Sequence, residues 1–166
     1  MKVLVCDTAA ILSGLVLSSS LKKLCPSSVI SEVKDLKSVW ILETALKSGK
    51  LEVRDPKQKY VSTVIGAAKA TGDVLSISKT DIEVLALALE LMEEGYEAII
   101  LTDDYSLQNV SAKLGVKTKS IKTMGIRGFF EYEVVCPACG FREEYSYNTH
   151  CPRCGHRLLK RRKKYS

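Results

Sequence analysis

The chain has 166 residues, 46% apolar and 27% charged: enough to bury a core, and the wrong composition for a collagen-like, disordered or membrane-spanning protein. Its formal charge of +6, from 25 basic and 19 acidic residues, is unevenly placed. Six basic side chains and no acid fall in residues 157–166, leaving 19 against 19 over residues 1–156, so a neutral body carries a basic end suited to a polyanion.

Taken in order, the chain opens on Lys2–Cys6, a near-continuous β-favouring run of the kind covered on both faces of a parallel sheet. The apolar stretch from Val3 to Leu17 is broken by Asp7 and is followed by no small-residue cleavage site. It therefore does not read as a signal peptide, and a cytoplasmic protein without a membrane segment is expected. Helices are predicted at about 28–48, 57–71, 80–94 and 105–114, and strands at 51–54, 98–101 and, shorter, 116–119. The clearest helix starts at Thr80, where Thr80 and Glu83 read as a capping box. Ile82, Leu85, Ala86 and Leu89 mark its buried stripe, and Gly95 its stop. This alternation predicts an α/β domain, a parallel sheet flanked by helices, over residues 1–120. Residues 121–133, with Phe129, Phe130 and Tyr132, read as a partly packed linker; 134–158 as a second small domain; and 159–166 as a basic tail.

The second domain is too short to hold a core without a staple, and its cysteines supply one. Cys136, Pro137, Ala138, Cys139, Gly140 is followed, with eleven residues between Cys139 and Cys151, by Cys151, Pro152, Arg153, Cys154, Gly155. Each segment is a tight turn that presents two thiolates to one ion, and four thiolates make a closed, structural Zn2+ site rather than a catalytic one. His150 and His156 flank it without being needed as ligands. Between the knuckles, residues 141–147 alternate aromatic and polar side chains, as in the hairpin arm of a zinc ribbon. Tyr145 and Tyr147 share a face there that suits either packing at the zinc site or stacking on RNA bases.

The first domain keeps its carboxylates at one edge. The first strand delivers Asp7 at its carboxyl end, and the run through Leu101 delivers Asp103 and Asp104. Crossover helices return their N-termini to the same edge, which places Asp81 there, and Glu32 from the segment after Pro26. Each acid alone has an ordinary role as a helix cap, a dipole partner or a turn former. Together they repel one another unless cations hold them, and an all-oxygen donor set selects Mg2+ or Mn2+. Thr8 and Thr102 stand beside the key acids as candidate hydrogen-bond donors.

The order Asp7, Thr8, Glu32, Asp81, then Thr102, Asp103, Asp104 resembles the PIN-domain nucleases. Residues 101–110, with Tyr105, Gln108 and Asn109, together with 121–128 and the following four-cysteine ribbon, resemble more specifically the archaeal Nin-one-binding endonucleases of ribosome biogenesis. The resemblance implies a metal-dependent endoribonuclease that trims single-stranded precursor small-subunit ribosomal RNA to its mature 3′ end within the pre-small-subunit particle. It implies Asp7, Glu32, Asp81 and Asp103 as Mn2+ or Mg2+ ligands, with Asp104 as an additional or substitute ligand, and zinc on Cys136, Cys139, Cys151 and Cys154. Lys160, Arg161, Arg162, Lys163 and Lys164, with Tyr145 and Tyr147, are the expected RNA contacts. Two other classes compete: a non-catalytic RNA-binding assembly factor on a degenerate PIN fold, and a toxin-type PIN ribonuclease, which is usually a bare domain.

Overall fold

The computed structural model describes residues 1–18, 20–122, 132–143 and 148–162, with the backbone alone described at Tyr132, Lys160 and Arg162. The chain forms two compact units, Met1–Ile126 and Arg127–Ser166.

The first unit is built on five parallel strands: β1 (Lys2–Cys6), β2 (Lys22–Cys25), β3 (Leu51–Val53), β4 (Glu97–Leu101) and β5 (Lys117–Lys119). Their order is β3-β2-β1-β4-β5. The chain steps outward from β1 in one direction and then returns to β1's other side with β4, so the winding reverses between β1 and β4. A crevice opens at the carboxyl ends of strands at such a reversal. Val3, Leu4, Val5 and Cys6 of β1, like Ile100 and Leu101 of β4, are fully buried, because helices cover both faces of the sheet.

The helices are α1 (Thr8–Leu12), α2 (Ser27–Glu32), α3 (Leu36–Lys47), α4 (Gln58–Thr71), α5 (Lys79–Glu93) and α6 (Tyr105–Lys113), with short 3-10 turns at Leu15–Leu17 and Asp73–Leu75. Three differences from the predicted elements matter for the site. Strand β2 was not expected, since it opens with two lysines. Lys23 nonetheless sits 1% exposed between Lys22 and Leu24, an alkyl stem covering sheet as apolar residues do. The helix expected over 28–48 is two helices: Val33 takes an extended backbone after α2, and the Asp35 carboxylate accepts from the Ser38 N–H to cap α3. Glu32 is therefore the last residue of a six-residue helix and not in the first turn of a long one.

Third, α5 begins one residue earlier than expected, and its capping box is Ser78 with Asp81, not Thr80 with Glu83. The Ser78 hydroxyl accepts from the Asp81 N–H at 3.0 Å, and the Asp81 carboxylate accepts from the Ser78 N–H at 3.3 Å. Thr80 faces inward instead, 9% exposed. The buried surface of α5 is shifted from the expected stripe, of which Ile82 and Leu89 are only half-buried. Val84, Leu87, Ala88 and Leu91 are buried along with Leu85 and Ala86, because the helix packs on β1 and β4 and also touches α2, α4 and α6.

Away from the crevice, the buried Glu90 carboxylate is well compensated. Glu90, 1% exposed, accepts from Arg54 at 2.9 Å and from the Lys57 N–H at 2.9 Å, and pairs with the Lys57 ammonium at 3.1 Å. Burial works against its charge, but these donors outweigh it and hold the carboxyl below its usual range.

In the second unit β6 (Tyr132–Val135) lies between β7 (Arg142–Glu143) and β8 (Leu159–Arg162), antiparallel to both. Residues 159–162, read from sequence as the start of the basic tail, are thus a strand of this sheet, and β6 begins within the expected linker. Arg161 is drawn into the sheet's own electrostatics, donating to Glu133 at 2.9 Å. Among the described residues no helix is long and apolar enough to cross a membrane.

Candidate functional site

Strands β1 and β4 are in register with Cys6 beside Leu101, so Asp7 and Thr102 emerge side by side at the point where the sheet winding reverses. Asp7 caps α1, its Oδ1 accepting from the Ala10 N–H at 2.7 Å. The cap fixes the carboxylate's direction, and residual exposure of only 7% shields it from water. Burial pushes the Asp7 carboxyl up to about 6; the Ala10 N–H and Thr102 hydroxyl pull against this, and like charges on Asp81 and Asp103 add to it. Asp81 is also pushed up, first by burial, with Ser78 opposing and Asp104 and Glu32 adding repulsion. Repulsion thus links Asp7 to Asp81 and Asp103, and Asp81 to Asp104 and Glu32, while among the described residues only the four cysteines bring their ligand atoms close enough together to group as a site for one ion.

Each acid is held by a different neighbour. The Thr8 hydroxyl donates to Glu32, tying the end of α2 to the start of α1. Ser78 holds Asp81 through its hydroxyl at 2.6 Å. Asp103 turns toward the end of β5, where its Oδ1 accepts from the Ser120 hydroxyl at 2.5 Å and the Ile121 N–H at 3.0 Å. Asp104 caps α6 by accepting from the Leu107 N–H at 2.8 Å, and its own N–H donates to Thr102 Oγ1 at 3.0 Å. The adjacent acids are thus oriented by separate elements. Ser78 and Ser120 were not singled out from sequence. Ser78 stands three residues before Asp81, a capping pattern masked by the overlapping Thr80 and Glu83; Ser120 is brought to Asp103 by β4–β5 pairing, which no local spacing records.

The contrast with Glu90 is informative. Where Arg54 and Lys57 compensate Glu90, the groups that act most on Asp7 are the Ala10 N–H, the Thr102 hydroxyl and the carboxylates of Asp81 and Asp103, with no cation among them. A carboxylate as buried as Asp7, with like charges about it, is costly unless a divalent ion supplies the compensation. The donors are all oxygens, which fits Mg2+ or Mn2+. Bound there, such an ion supplies an activated water and neutralises charge on a phosphodiester. The chain's part is to aim the carboxylates through its caps and to keep Asp7 shielded. Beside the acids a cleft of about 570 Å3 runs between α2 and α5, lined by Ser28, Ser31, Glu32, Lys34 and Lys79 among others.

In the second unit, Cys136, Cys139, Cys151 and Cys154 bring their sulfurs within 4.8 Å of one another. Cys136 and Cys154 approach to 3.4 Å and Cys139 and Cys151 to 3.5 Å, near the edge of about 3.8 Å that a tetrahedral zinc-thiolate site requires. The two knuckles repeat the same backbone. Gly140 and Gly155 have φ of 73° and 71° and donate to the carbonyls of Cys136 and Cys151 at 3.0 and 2.9 Å. Only glycine takes that left-handed turn cheaply. The N–H groups of Cys139 and Ala138 hold the Cys136 thiol below its ordinary range, favouring the thiolate a metal needs. His150 and His156 are exposed and outside this cluster. Of the expected RNA contacts, Tyr145, Tyr147, Lys163 and Lys164 lie outside the described residues, as do the side chains of Lys160 and Arg162.

A parallel sheet with an acidic crevice at its reversal point, followed by a unit with four clustered cysteines, defines a PIN-type nuclease with an appendage whose thiols could hold a metal ion. Residues 4–91 match the family described as PIN domain of ribonuclease. Endoribonuclease Nob1 of Methanothermobacter thermautotrophicus is 34% identical over 135 residues, covering 81% of this chain and 78% of its own. Endoribonuclease Nob1 of Pyrococcus abyssi is 36% identical over 137 residues, covering 82% and 79%. Ribonuclease VapC1 of Thermoplasma acidophilum is 36% identical over 150 residues, covering 82% and 74%. The chain belongs to the PIN-domain ribonucleases, in the branch of the archaeal Nob1 endoribonucleases, and is a metal-dependent endoribonuclease.

Proposed function

We propose that this endoribonuclease cuts precursor small-subunit ribosomal RNA at its mature 3′ end, as a single strand and within the pre-small-subunit particle in the cytoplasm. Cleavage uses Mn2+ or Mg2+ held by Asp7, Glu32, Asp81 and the Asp103–Asp104 pair, and one Zn2+ on the four cysteines keeps the second unit folded. The observation that carries the chemistry is the buried Asp7 carboxylate among like charges, with no cation among the groups that act most on it. The substrate reading rests on the resemblance carried by residues 101–110, 121–128 and the four-cysteine unit, and on the relatives named Nob1. A 5′-labelled transcript spanning the mature end is expected to yield one dominant product at that end with Mn2+ or Mg2+, and none when metal is omitted. Scattered cuts, or equal cleavage of unrelated transcripts, would favour the toxin-type reading that the VapC-named relative brings. Metal-independent binding with no cutting would favour a degenerate assembly factor.

RNA is also expected to engage the basic end. Deleting residues 157–166 would remove β8 along with its charge, so the informative variant is Lys163→Ser with Lys164→Ser. The slope of log affinity against log salt should shrink by about 1 to 2 for a single strand. An unchanged slope would remove these lysines from the interface.

A further inference from the structure

The acidic crevice is bordered on its α6 side by two apolar side chains that the fold leaves in solvent. Tyr105 directly follows Asp104 as the first residue of α6 and is 86% exposed. Leu75, in the 3-10 turn before α5, is 97% exposed. Neither exposure comes from fraying. The turn is tied to α6 at both ends: Ser106 donates to Ser76 at 3.0 Å, and Asn109 donates to Asp73 at 2.6 Å. Ser106 and Asn109 are three residues apart and so lie on one helix face, which draws the turn carrying Leu75 against the first turns of α6. The residue after this turn, Ile77, is 7% exposed and anchors the chain just before the Ser78–Asp81 cap. The tethers therefore hold the turn that carries Leu75 against the start of α6, where Tyr105 follows Asp104, and both side chains stand in water.

We infer that Tyr105 and Leu75 form a stacking surface for an unpaired base of the RNA next to the phosphate being cut. The occupant follows from position. A phosphate brought to the acids through their cation carries its sugars and bases past whatever flanks Asp104, and that flank is an aromatic ring. An aromatic face accepts any base, because every base has a π-face, but only a base freed from a duplex. Tyr105 is thus a positioning residue that selects single strands without reading sequence. The inference rests on the metal-site reading above, and its test does not depend on cleavage.

The probe is a labelled adenosine 12-mer RNA, compared with an abasic 12-mer of the same backbone and with the adenosine strand in a duplex. Binding is followed by fluorescence anisotropy with Ca2+ in place of Mn2+. Tyr105→Ala is expected to weaken binding of the adenosine strand about tenfold, and Leu75→Ser several-fold, while Tyr105→Phe stays near wild type. Binding of the abasic strand and of the duplex should be the same for all four proteins, and melting temperatures should agree, since both side chains are exposed. Adenosine-strand affinity of Tyr105→Ala within twofold of wild type would overturn the inference and leave the patch as a surface for protein. So would an equal loss on the abasic strand, which would mean that the residue acts through charge or fold rather than stacking.

Discussion

Asp7→Asn is expected to abolish metal-dependent RNA cleavage, with a rate loss on the order of 10³-fold or more, while the protein keeps its fold. Asparagine is as good an N-cap as aspartate, so its Oδ1 retains the Ala10 N–H that now closes the first turn of α1 at 2.7 Å. The Thr102 hydroxyl, which now bonds the carboxylate, rotates to accept from the new amide. What disappears is the negative charge and the strongest cation donor. Stability supplies a second readout with a definite sign. The Asp7 carboxyl in the folded, metal-free protein lies near 6, above its ordinary 3.8. Between roughly pH 4 and 6 the folded chain holds a proton that the unfolded chain has released, so its stability falls as pH rises through that window and stays lower above it. Asp7→Asn removes this penalty. At pH 7 without metal it should melt at or above wild type, and by pH 4 the two should converge. Adding Mn2+ should raise the melting temperature of wild type and leave the variant nearly unmoved. Undiminished cleavage, or a variant that melts well below wild type at pH 7, would remove Asp7 from the metal site.

The chemistry of this crevice was legible early because its two central strands announce themselves. Val3–Cys6 and Ala98–Leu101 are buried, covered on both faces of the sheet, which forces near-continuous apolar runs; Asp7 directly follows the first, and Thr102 alone stands between the second and Asp103. The positions of Asp7, Asp103 and Asp104 follow from that alone. Glu32 and Asp81 needed the return of a helix to the same edge, and there local signals misled. An unbroken helix over 28–48 overlooked Asp35, whose cap on Ser38 starts α3 afresh and leaves Glu32 at the end of α2. Thr80 and Glu83 fit a capping box as well as Ser78 and Asp81 do. Tertiary packing decides between them, since Thr80 is needed inside the unit. Ser120 on Asp103 was beyond reach, because its partner lies seventeen residues away across a strand pair. In the second unit the knuckles were plain from spacing, whereas β8 was hidden: four residues rich in lysine and arginine read as a tail, and only pairing with β6 makes them a strand. The basic end is correspondingly shorter than its charge run, with Arg161 already engaged by Glu133.

Cys136→Ser, or prolonged treatment with a strong zinc chelator, is expected to unfold the second unit while the first remains intact. The reason is where its core lies. Among the described residues beyond 126, the fully buried apolar side chains are Cys136 and Cys151, at 2% and 4% exposed. Val134 and Val135 are only half-buried, and Phe141 packs its ring against the Arg153 guanidinium at 5.4 Å. The apolar burial among these described residues is too small to offset the entropy of ordering them, whereas a structural zinc contributes on the order of 10 kcal/mol to folding at neutral pH. The knuckle backbones are part of the same balance. Their left-handed glycines and the turn bonds from Gly140 and Gly155 are expected to be lost with the ion. Metal analysis should find one zinc per chain in wild type and none in Cys136→Ser. Amide exchange of Tyr132–Val135 and Leu159–Arg162 should rise to unprotected rates in the variant, while Val3–Cys6 and Ile99–Leu101 stay protected. Affinity for RNA should fall, since β8 loses its pairing with β6, whereas metal-dependent cutting at saturating RNA should persist. Full protection of β6 and β8 in the metal-free variant would mean that the sheet holds itself, and that zinc does not serve as the core of this unit.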